Sequence, residues 1–168
     1  MSGNYKKKTQ AVVIGSDHGG FRLKEKIKKF LINKGYQVKD VGCFNQESCD
    51  YPVYAYKAAK EVSLRNFSKG ILICKSGIGN SIVANKLPGV RAALCYNLKA
   101  AKLSRMHNDA NVLVLGALFV NEALAKRIVS LWLRTEFEGG RHLRRVKQIK
   151  KIEDETNELF RKNRPANI

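Results

Sequence analysis

The sequence has no apolar run long enough to cross a membrane. Spanning a bilayer takes roughly 20 consecutive apolar residues, and the apolar stretches of this chain are short and interrupted by charge. Near the amino terminus the basic segment 5–8 is followed by an apolar stretch that soon becomes polar, which is not the pattern of a secretory signal peptide. We therefore expect neither a membrane-spanning protein nor an exported one.

Paired metal ligands and CxxC motifs are also missing. The four cysteines, Cys43, Cys49, Cys74 and Cys95, are scattered, which predicts free thiols in a reducing, cytoplasmic compartment. The chain has three histidines, and no single element carries two histidines or cysteines at ligand spacing. We therefore predict no metal site.

Acidic residues are scarce. Asp and Glu number 14 against 32 Lys and Arg, so the net charge is +18. Such a charge attracts phosphates and leaves open a non-catalytic, basic nucleic-acid-binding domain. The basic residues are spread along the chain and not gathered in one block with aromatic residues, so we favour attraction of a small phosphorylated ligand.

What the chain does contain is a regular alternation of short apolar runs with amphipathic segments. Because five such strand–helix units are typical of a parallel sheet covered on both faces, we predict an α/β fold with a Rossmann-like five-stranded parallel sheet flanked by helices. We divide the chain into a disordered basic leader (1–10), one domain (11–153) and a charged tail (154–168). The strands are expected at 11–15, 37–42, 70–74, 90–95 and 111–116, and the helices at 21–34, 51–66, 81–86, 98–106, 121–135 and 141–161.

The most informative stretch is 70–81, in which an apolar strand ends at Cys74 and a turn containing Gly77 and Gly79 follows. The backbone N–H groups of this turn and of the helix after it are expected to favour a thiolate and an anion beside it. A cysteine phosphatase would need Arg at position 80, and Asn80 stands there instead. Neither a Walker sequence nor a G-x-G-x-x-G fingerprint is present.

Three further motifs carry polar chemistry. Asp17 and His18 follow the first strand, where they are either part of a glycine turn that caps the next helix or a pair that exchanges protons with a substrate hydroxyl. His107 lies at a helix–strand junction and is either a structural histidine or a catalytic one. Arg141 and Arg145 are spaced to share one helix face, as a solvated surface or as a grip on a phosphate.

Together the motifs resemble the type B ribose-5-phosphate isomerases and their relatives, the galactose-6-phosphate and allose-6-phosphate isomerases. The resemblance covers about residues 11 to 153. It is carried by Asp17-His18-Gly19-Gly20-Phe21, Asp50-Tyr51-Pro52, Ile71-Leu72-Ile73-Cys74, Ser76-Gly77-Ile78-Gly79, Ala84-Asn85-Lys86, Gly89-Val90-Arg91-Ala92, Arg105-Met106-His107-Asn108 and Glu138-Gly139-Gly140-Arg141-His142.

This resemblance implies a homodimer, or a dimer of dimers, with the active site at the subunit interface, and cofactor-independent interconversion of ribose 5-phosphate and ribulose 5-phosphate. By motif, Cys74 would be the base that moves a proton between C2 and C1, and Ser76 would assist it. His107 would open the sugar ring with help from Asp17. Backbone N–H groups of Gly77, Ile78, Gly79, Asn80 and Ser81 would stabilise the enediolate, Tyr51 and Asn108 would line the sugar site, and His18, Arg141, His142 and Arg145 would bind the phosphate.

Two features bear on this interpretation. Family members usually carry Gly after the cysteine, whereas Lys75 stands here, either facing solvent, lowering the pKa of Cys74 or reaching the substrate. A six-carbon sugar phosphate remains an alternative substrate. The last helix has only a thin apolar stripe that includes Val146 and Ile149, too weak to be stable alone, so we expect it to pack on a partner subunit.

Overall fold

The structure is a computed structural model in which residues 10–163 are described, and it confirms the predicted fold class. The strands are β1 (Ala11–Ser16), β2 (Gln37–Asp40), β3 (Gly70–Cys74), β4 (Ala92–Leu94) and β5 (Val112–Gly116). The helices are α1 (Phe21–Asn33), α2 (Tyr51–Ser63), α3 (Ile78–Ala84), α4 (Leu98–Asn108), α5 (Glu122–Arg134) and α6 (Gly140–Lys162).

All five strands are parallel and lie in the order β2-β1-β3-β5-β4. The central strands β3 and β5 are fully buried, as their uninterrupted apolar sequences predict for strands that are covered on both faces. The edge strand β2 alternates exposed and half-buried residues, and the short edge strand β4 is half-buried throughout. The carboxyl ends of all five strands consequently meet at one edge of the sheet, which we call the carboxyl edge, and the opposite edge is the amino edge.

Alternate residues of each strand pack on opposite faces of the sheet. Ile71 and Ile73 point to the face that α1 and α5 cover, where Ile27 and Trp132 are fully buried. Leu72 points to the other face, where the small residues of α2 and α3 pack, and these include Ala55, Ala58, Ala59 and Ala84. Each buried Ile or Leu contributes about 1.5–3 kcal/mol of apolar transfer free energy, so the two layers fix the sheet firmly.

Helix boundaries differ from the predictions mainly around the central turn. Helix α3 begins at Ile78, three residues before the predicted start at Ser81. Gly77 explains the difference, because its backbone takes a left-handed conformation with φ of 83° and ends the turn at once. A side chain there would also collide with Leu94, since a Cβ would lie 2.3 Å from Leu94 Cδ1.

Helix α6 is mostly exposed, and His142 is its one buried residue within the part of the chain that the structure describes. The apolar side chains of Ile149 and Ile152 are exposed on it. Glu153 accepts a 2.6 Å hydrogen bond from the backbone of Gly89, which ties the helix to the segment before β4. The first part of the predicted tail therefore continues this helix, while the predicted leader, apart from Gln10, and residues 164–168 lie outside the described residues. No helix between residues 10 and 163 has the length and apolar character that a membrane span needs.

Candidate active site in two halves

The first group of predicted site residues gathers at the carboxyl edge around Cys74. Strands β1 and β3 are neighbours, with Ser16 paired to Ile73, so the residues that follow them, Asp17 and Cys74, emerge side by side. Asp17 is buried, and its Oδ1 accepts a 2.9 Å hydrogen bond from the backbone of Gly20. We call this group the thiol half, and it comprises Asp17, His18, Tyr51, Cys74 and residues 75–81.

Cys74 is buried, and the turn after it points a donor at its sulfur. The backbone N–H of Gly77 donates to Cys74 Sγ over 3.1 Å. Burial nevertheless raises the pKa of the Cys74 thiol, and the nearby Asp17 carboxylate raises it further, against the lowering effect of the N–H groups of Gly77, Asn80 and Ser76. The N–H groups of the turn thus favour the thiolate, as expected, but within one chain burial outweighs them.

The amide of Asn80 is the side chain of this half that is best placed to bind a ligand. It is 1% exposed, and neither its Oδ1 nor its Nδ2 has a hydrogen-bond partner among residues 10–163. A buried amide without partners is costly in a native protein and is usually satisfied by a ligand or ordered water. A sugar hydroxyl or an enediolate oxygen in the loop would satisfy it.

The remaining residues of the thiol half surround this loop. Tyr51 packs its ring against Gly79, where even a Cβ would lie 2.5 Å from the ring. The hydroxyl of Ser76 is turned to the N–H of Ile78, at 3.3 Å. Ile78 itself is exposed at the surface of the loop, and the Ser81 hydroxyl donates to the Ile78 carbonyl within the helix.

His18 is held by a loop that sequence reasoning did not assign to the site. Its Nδ1 lies 3.1 Å from both the backbone nitrogen and the backbone oxygen of Cys49, so the backbone fixes the ring. The loop that carries Cys49 is in turn fixed by Asp40, whose Oδ1 accepts from the backbone of Gly42. No local motif in 41–49 signals this role, because it depends on a contact across 31 residues.

The second group of predicted residues lies where α4 ends and α6 begins. The rings of His107 and His142 are stacked, with centroids 4.1 Å apart and planes at 4°. Arg141 Nε donates to His142 Nε2 over 3.4 Å, and Arg145 follows one turn later on the exposed surface. We call this group the cationic half, and it comprises His107, Asn108, Glu138, Arg141, His142 and Arg145.

Glu138 joins the two histidines and was missed as a site residue. Its Oε2 lies 3.7 Å from His107 Nε2 and 3.4 Å from His142 Nε2. Burial lowers the pKa of His142, and the neighbouring His107 and Arg141 lower it further, against the opposing effect of Glu138. Glu138 precedes α6, so its contact with both histidines depends on the fold and has no local sequence signal.

These three side chains also bring metal-binding donor atoms within 4.8 Å of one another. The sequence prediction of no metal site considered ligands on one element, whereas the fold collects these from two helices and the preceding segment. Lone pairs of imidazole nitrogens lie in the ring plane, and parallel planes direct them side by side instead of towards one ion.

The two halves lie at opposite edges of the sheet within one chain. Cys74 is paired with Gly116 at the carboxyl end of β5, whereas His107 precedes Val112, the first residue of that strand. The length of β5 alone separates the edges by roughly 13 Å at about 3.3 Å per residue. The predicted catalytic residues are therefore not brought together by a single subunit.

Comparison with known proteins identifies the protein family of this chain. The family described as Ribose/Galactose Isomerase matches residues 12–149. Ribose-5-phosphate isomerase B of Escherichia coli K12 is 46% identical over 146 residues, which cover 87% of this chain and 98% of that protein. The chain belongs to the ribose/galactose isomerase family, and the predicted resemblance is confirmed.

Solved structures agree with this assignment. Ribose-5-phosphate isomerase B of Clostridium thermocellum superposes with a TM-score of 0.86 at 49% identity, covering 88% of this chain and 99% of that one. The enzyme of Mycoplasma genitalium, solved with bound ribulose-5-phosphate, gives a TM-score of 0.83 at 41% identity over 86% of this chain and 97% of that one. The five-stranded architecture of this protein is therefore that of its family.

Proposed function

We propose that this protein interconverts ribose 5-phosphate and ribulose 5-phosphate without a cofactor. The observation that carries the proposal is the buried Cys74 thiol in a chain of this family. The Gly77 N–H contacts this thiol at 3.1 Å, beside the Asn80 amide that has no hydrogen-bond partner among residues 10–163. Family membership favours an isomerase over the alternative of a basic nucleic-acid-binding domain.

In the proposed reaction the Cys74 thiolate removes the proton from C2 of the open-chain aldose. The C2–H electron pair becomes the C1–C2 double bond, and the carbonyl electrons move to the C1 oxygen, giving an enediolate. The N–H groups of 77–81 and the Asn80 amide stabilise that oxygen, an effect worth roughly 3 kcal/mol per donor in comparable sites. Cys74 then returns the proton to C1, and transfer of the O2 proton to the O1 oxyanion gives the ketose. Ser76 assists by hydrogen bonding, and Tyr51 lines the sugar site.

The cationic half supplies ring opening and phosphate binding in this proposal. His107 moves the proton that opens the furanose, helped by Asp17, and Asn108 contacts the sugar. Arg141 and Arg145 grip the phosphate with His142, and His18 adds a contact from the thiol half. Guanidinium groups bind phosphate oxygens in pairs, and the phosphate then positions C2 over the sulfur.

Because the halves lie at opposite edges of one chain, we further propose a homodimer in which each site combines the thiol half of one subunit with the cationic half of its partner. A two-fold axis creates two such sites at once. The surface beside the thiol half supports this arrangement, since helices α2 and α3 expose large apolar side chains there: Val53, Tyr56, Ile78 and Ile82. Helix α6, with its exposed Ile149 and Ile152, would pack on the partner subunit.

A composite site would also lower the pKa of Cys74, which burial raises within one chain. The partner's Arg141 and Arg145 would bring two positive charges towards the thiol half, which favours the thiolate against burial and Asp17. We place the reaction in the cytoplasm, where the free thiols of Cys43, Cys49, Cys74 and Cys95 are stable.

Exchange of the C2 proton tests this function. Ribose 5-phosphate incubated with the protein in D₂O should acquire deuterium at C2, seen as loss of the C2–H resonance, together with formation of ribulose 5-phosphate. Allose 6-phosphate and galactose 6-phosphate serve as comparison substrates. Faster turnover of either hexose phosphate would contradict the pentose assignment, and absence of exchange with all three would contradict the isomerase.

A further inference from the structure

A separate cavity of about 880 Å³ lies at the amino edge of the sheet, between the end of α1 and the segment that joins α5 to α6. Its charged lining is strongly unequal, because four cationic side chains face one carboxylate. We call it the basic cavity; its cations are Lys34, Lys69, Arg105 and Arg134, and its acid is Glu136. None of these residues belongs to either half of the proposed active site.

Lys69 is a partly buried cation in the wall of the basic cavity. Its Nζ donates to the carbonyl of Leu133 at 3.3 Å, and no carboxylate lies within 4 Å of it in the part of the chain that the structure describes. Burial lowers the pKa of Lys69, and the nearby Arg105 lowers it further, while Asp109 and Glu136 oppose the shift without overcoming it. A desolvated ammonium in this setting is stabilised by an added anion.

Arg105 places a second cation beside Lys69. The Nζ of Lys69 and the guanidinium of Arg105 lie 5.9 and 5.7 Å from the centre of the Trp132 ring. The Nε and Nη1 groups of Arg105 are hydrogen-bonded to Thr135, Asp109 and Ala110, whereas its Nη2 makes no hydrogen bond to residues 10–163. The Nη2 group of this nearly buried guanidinium can therefore donate hydrogen bonds to a ligand.

Two aromatic side chains, Tyr36 and Phe137, complete the lining, and both are half-buried. The volume is within the range of sites for small molecules, about 300–1,000 Å³. Gln10 also lines the cavity.

We propose that the basic cavity binds a nucleotide polyphosphate. Lys69 and the Nη2 group of Arg105 would take phosphate oxygens, with Lys34 and Arg134 adding charge. The base would lie against Tyr36 or Phe137, because aromatic side chains stack on bases without regard to their identity. This cavity is distinct from the isomerase site, although both adjoin the segment 135–138. In that segment the Thr135 carbonyl accepts a hydrogen bond from Arg105 Nε, and the Glu138 N–H donates to the Met106 carbonyl.

Titration of the full-length protein with ATP tests the proposal. Trp132 is the one tryptophan of the sequence, so its fluorescence reports binding at this cavity, and calorimetry gives the affinity. Lys69→Gln should weaken ATP binding about tenfold, the effect of one charge-assisted hydrogen bond. The matched control is Lys29→Gln, which removes an exposed lysine of α1 and should leave the affinity unchanged.

Thermal melting of Lys69→Gln and its turnover of ribose 5-phosphate should match those of the parent protein, which shows that the variant is folded. Unchanged ATP affinity in Lys69→Gln would overturn the proposal. Loss of ATP binding in Arg141→Gln with retention in Lys69→Gln would also overturn it, since ATP would then occupy the substrate site. Inorganic tripolyphosphate binding as tightly as ATP would overturn the assignment to a nucleotide. A protein that binds ATP through Lys69 but fails in the isomerase assay would contradict the proposed function alone.

Discussion

The thiol half and the cationic half differ in how the chain builds them. Cys74 and Asp17 are buried at the ends of neighbouring strands in the centre of the sheet, where packing on both faces fixes their backbone. Arg141 and Arg145 project from the exposed face of a helix that buries only His142. The proposed bond-making group therefore lies on buried central strands, whereas the proposed phosphate-binding charges lie on an exposed helix that we propose packs on a second subunit.

The largest expected effect is a loss of kcat when the thiol half is changed at Cys74. Cys74→Ala removes the proposed base, so kcat for ribose 5-phosphate should fall about 1,000-fold or more while KM changes little. The matched control is Cys95→Ala, which removes another buried thiol whose Sγ faces the Ala93 carbonyl and the Ser104 hydroxyl and should keep near-normal kcat. Near-normal turnover by Cys74→Ala would remove the thiol half from the chemistry.

Arg141→Gln tests the cationic half and should act first on KM. Loss of one guanidinium contact to the phosphate should raise KM roughly 100-fold. The same change should move the rising limb of the pH–rate profile to higher pH, because a base of raised pKa loses a neighbouring cation that favours its charged form. Steady-state kinetics across pH would measure both effects, and an unshifted limb would argue that Arg141 does not approach Cys74.

Asp40→Asn should lower the stability of the fold next to the thiol half without changing a residue of that half. Lys24 is completely buried and bonds Asp40 and Glu25, so loss of one carboxylate should lower the free energy of unfolding by about 2 kcal/mol. Although burial raises the pKa of Asp40, hydrogen bonds from Lys24 and Lys28 outweigh it and hold the pKa below its usual value. The stabilisation is therefore present at neutral pH and disappears as pH falls below about 4. Urea unfolding at pH 7 and pH 3 should show the difference shrinking in acid; an equal difference at both would contradict this account.

Lys75→Gly should have the smallest effect. The Lys75 side chain is exposed, and its Cβ and Cγ lie over Gly19. Its ammonium has no hydrogen bond or ion pair among residues 10–163. We expect kcat/KM for ribose 5-phosphate to change by less than about twofold, since surface groups of this kind contribute little. A larger loss, or a shifted pH profile, would give Lys75 a role in the thiol half.

The sequence predicted the sheet well because its signal is local. Buried strands such as 70–74 and 112–116 are continuous apolar runs, and Gly77 marks the turn that follows Cys74. Residues that act across the fold were harder to identify, since neither the hold of Cys49 on His18 nor the bridge from Glu138 to two histidines has a local pattern. The donors that favour a Cys74 thiolate could be predicted from the turn, but the opposing effect of burial on the pKa could not, because desolvation depends on packing that no motif records.

Activity of mixed dimers tests the central claim most directly. Cys74→Ala chains and Arg141→Gln chains, each inactive alone at low substrate concentration, would be unfolded together and refolded in equal amounts. Half of the dimers would then be hybrids with one intact site of two, so the mixture should recover about a quarter of the parent activity, as a two-fold dimer with shared sites requires. Activity no greater than the sum of the two separate variants would contradict a site built from two subunits.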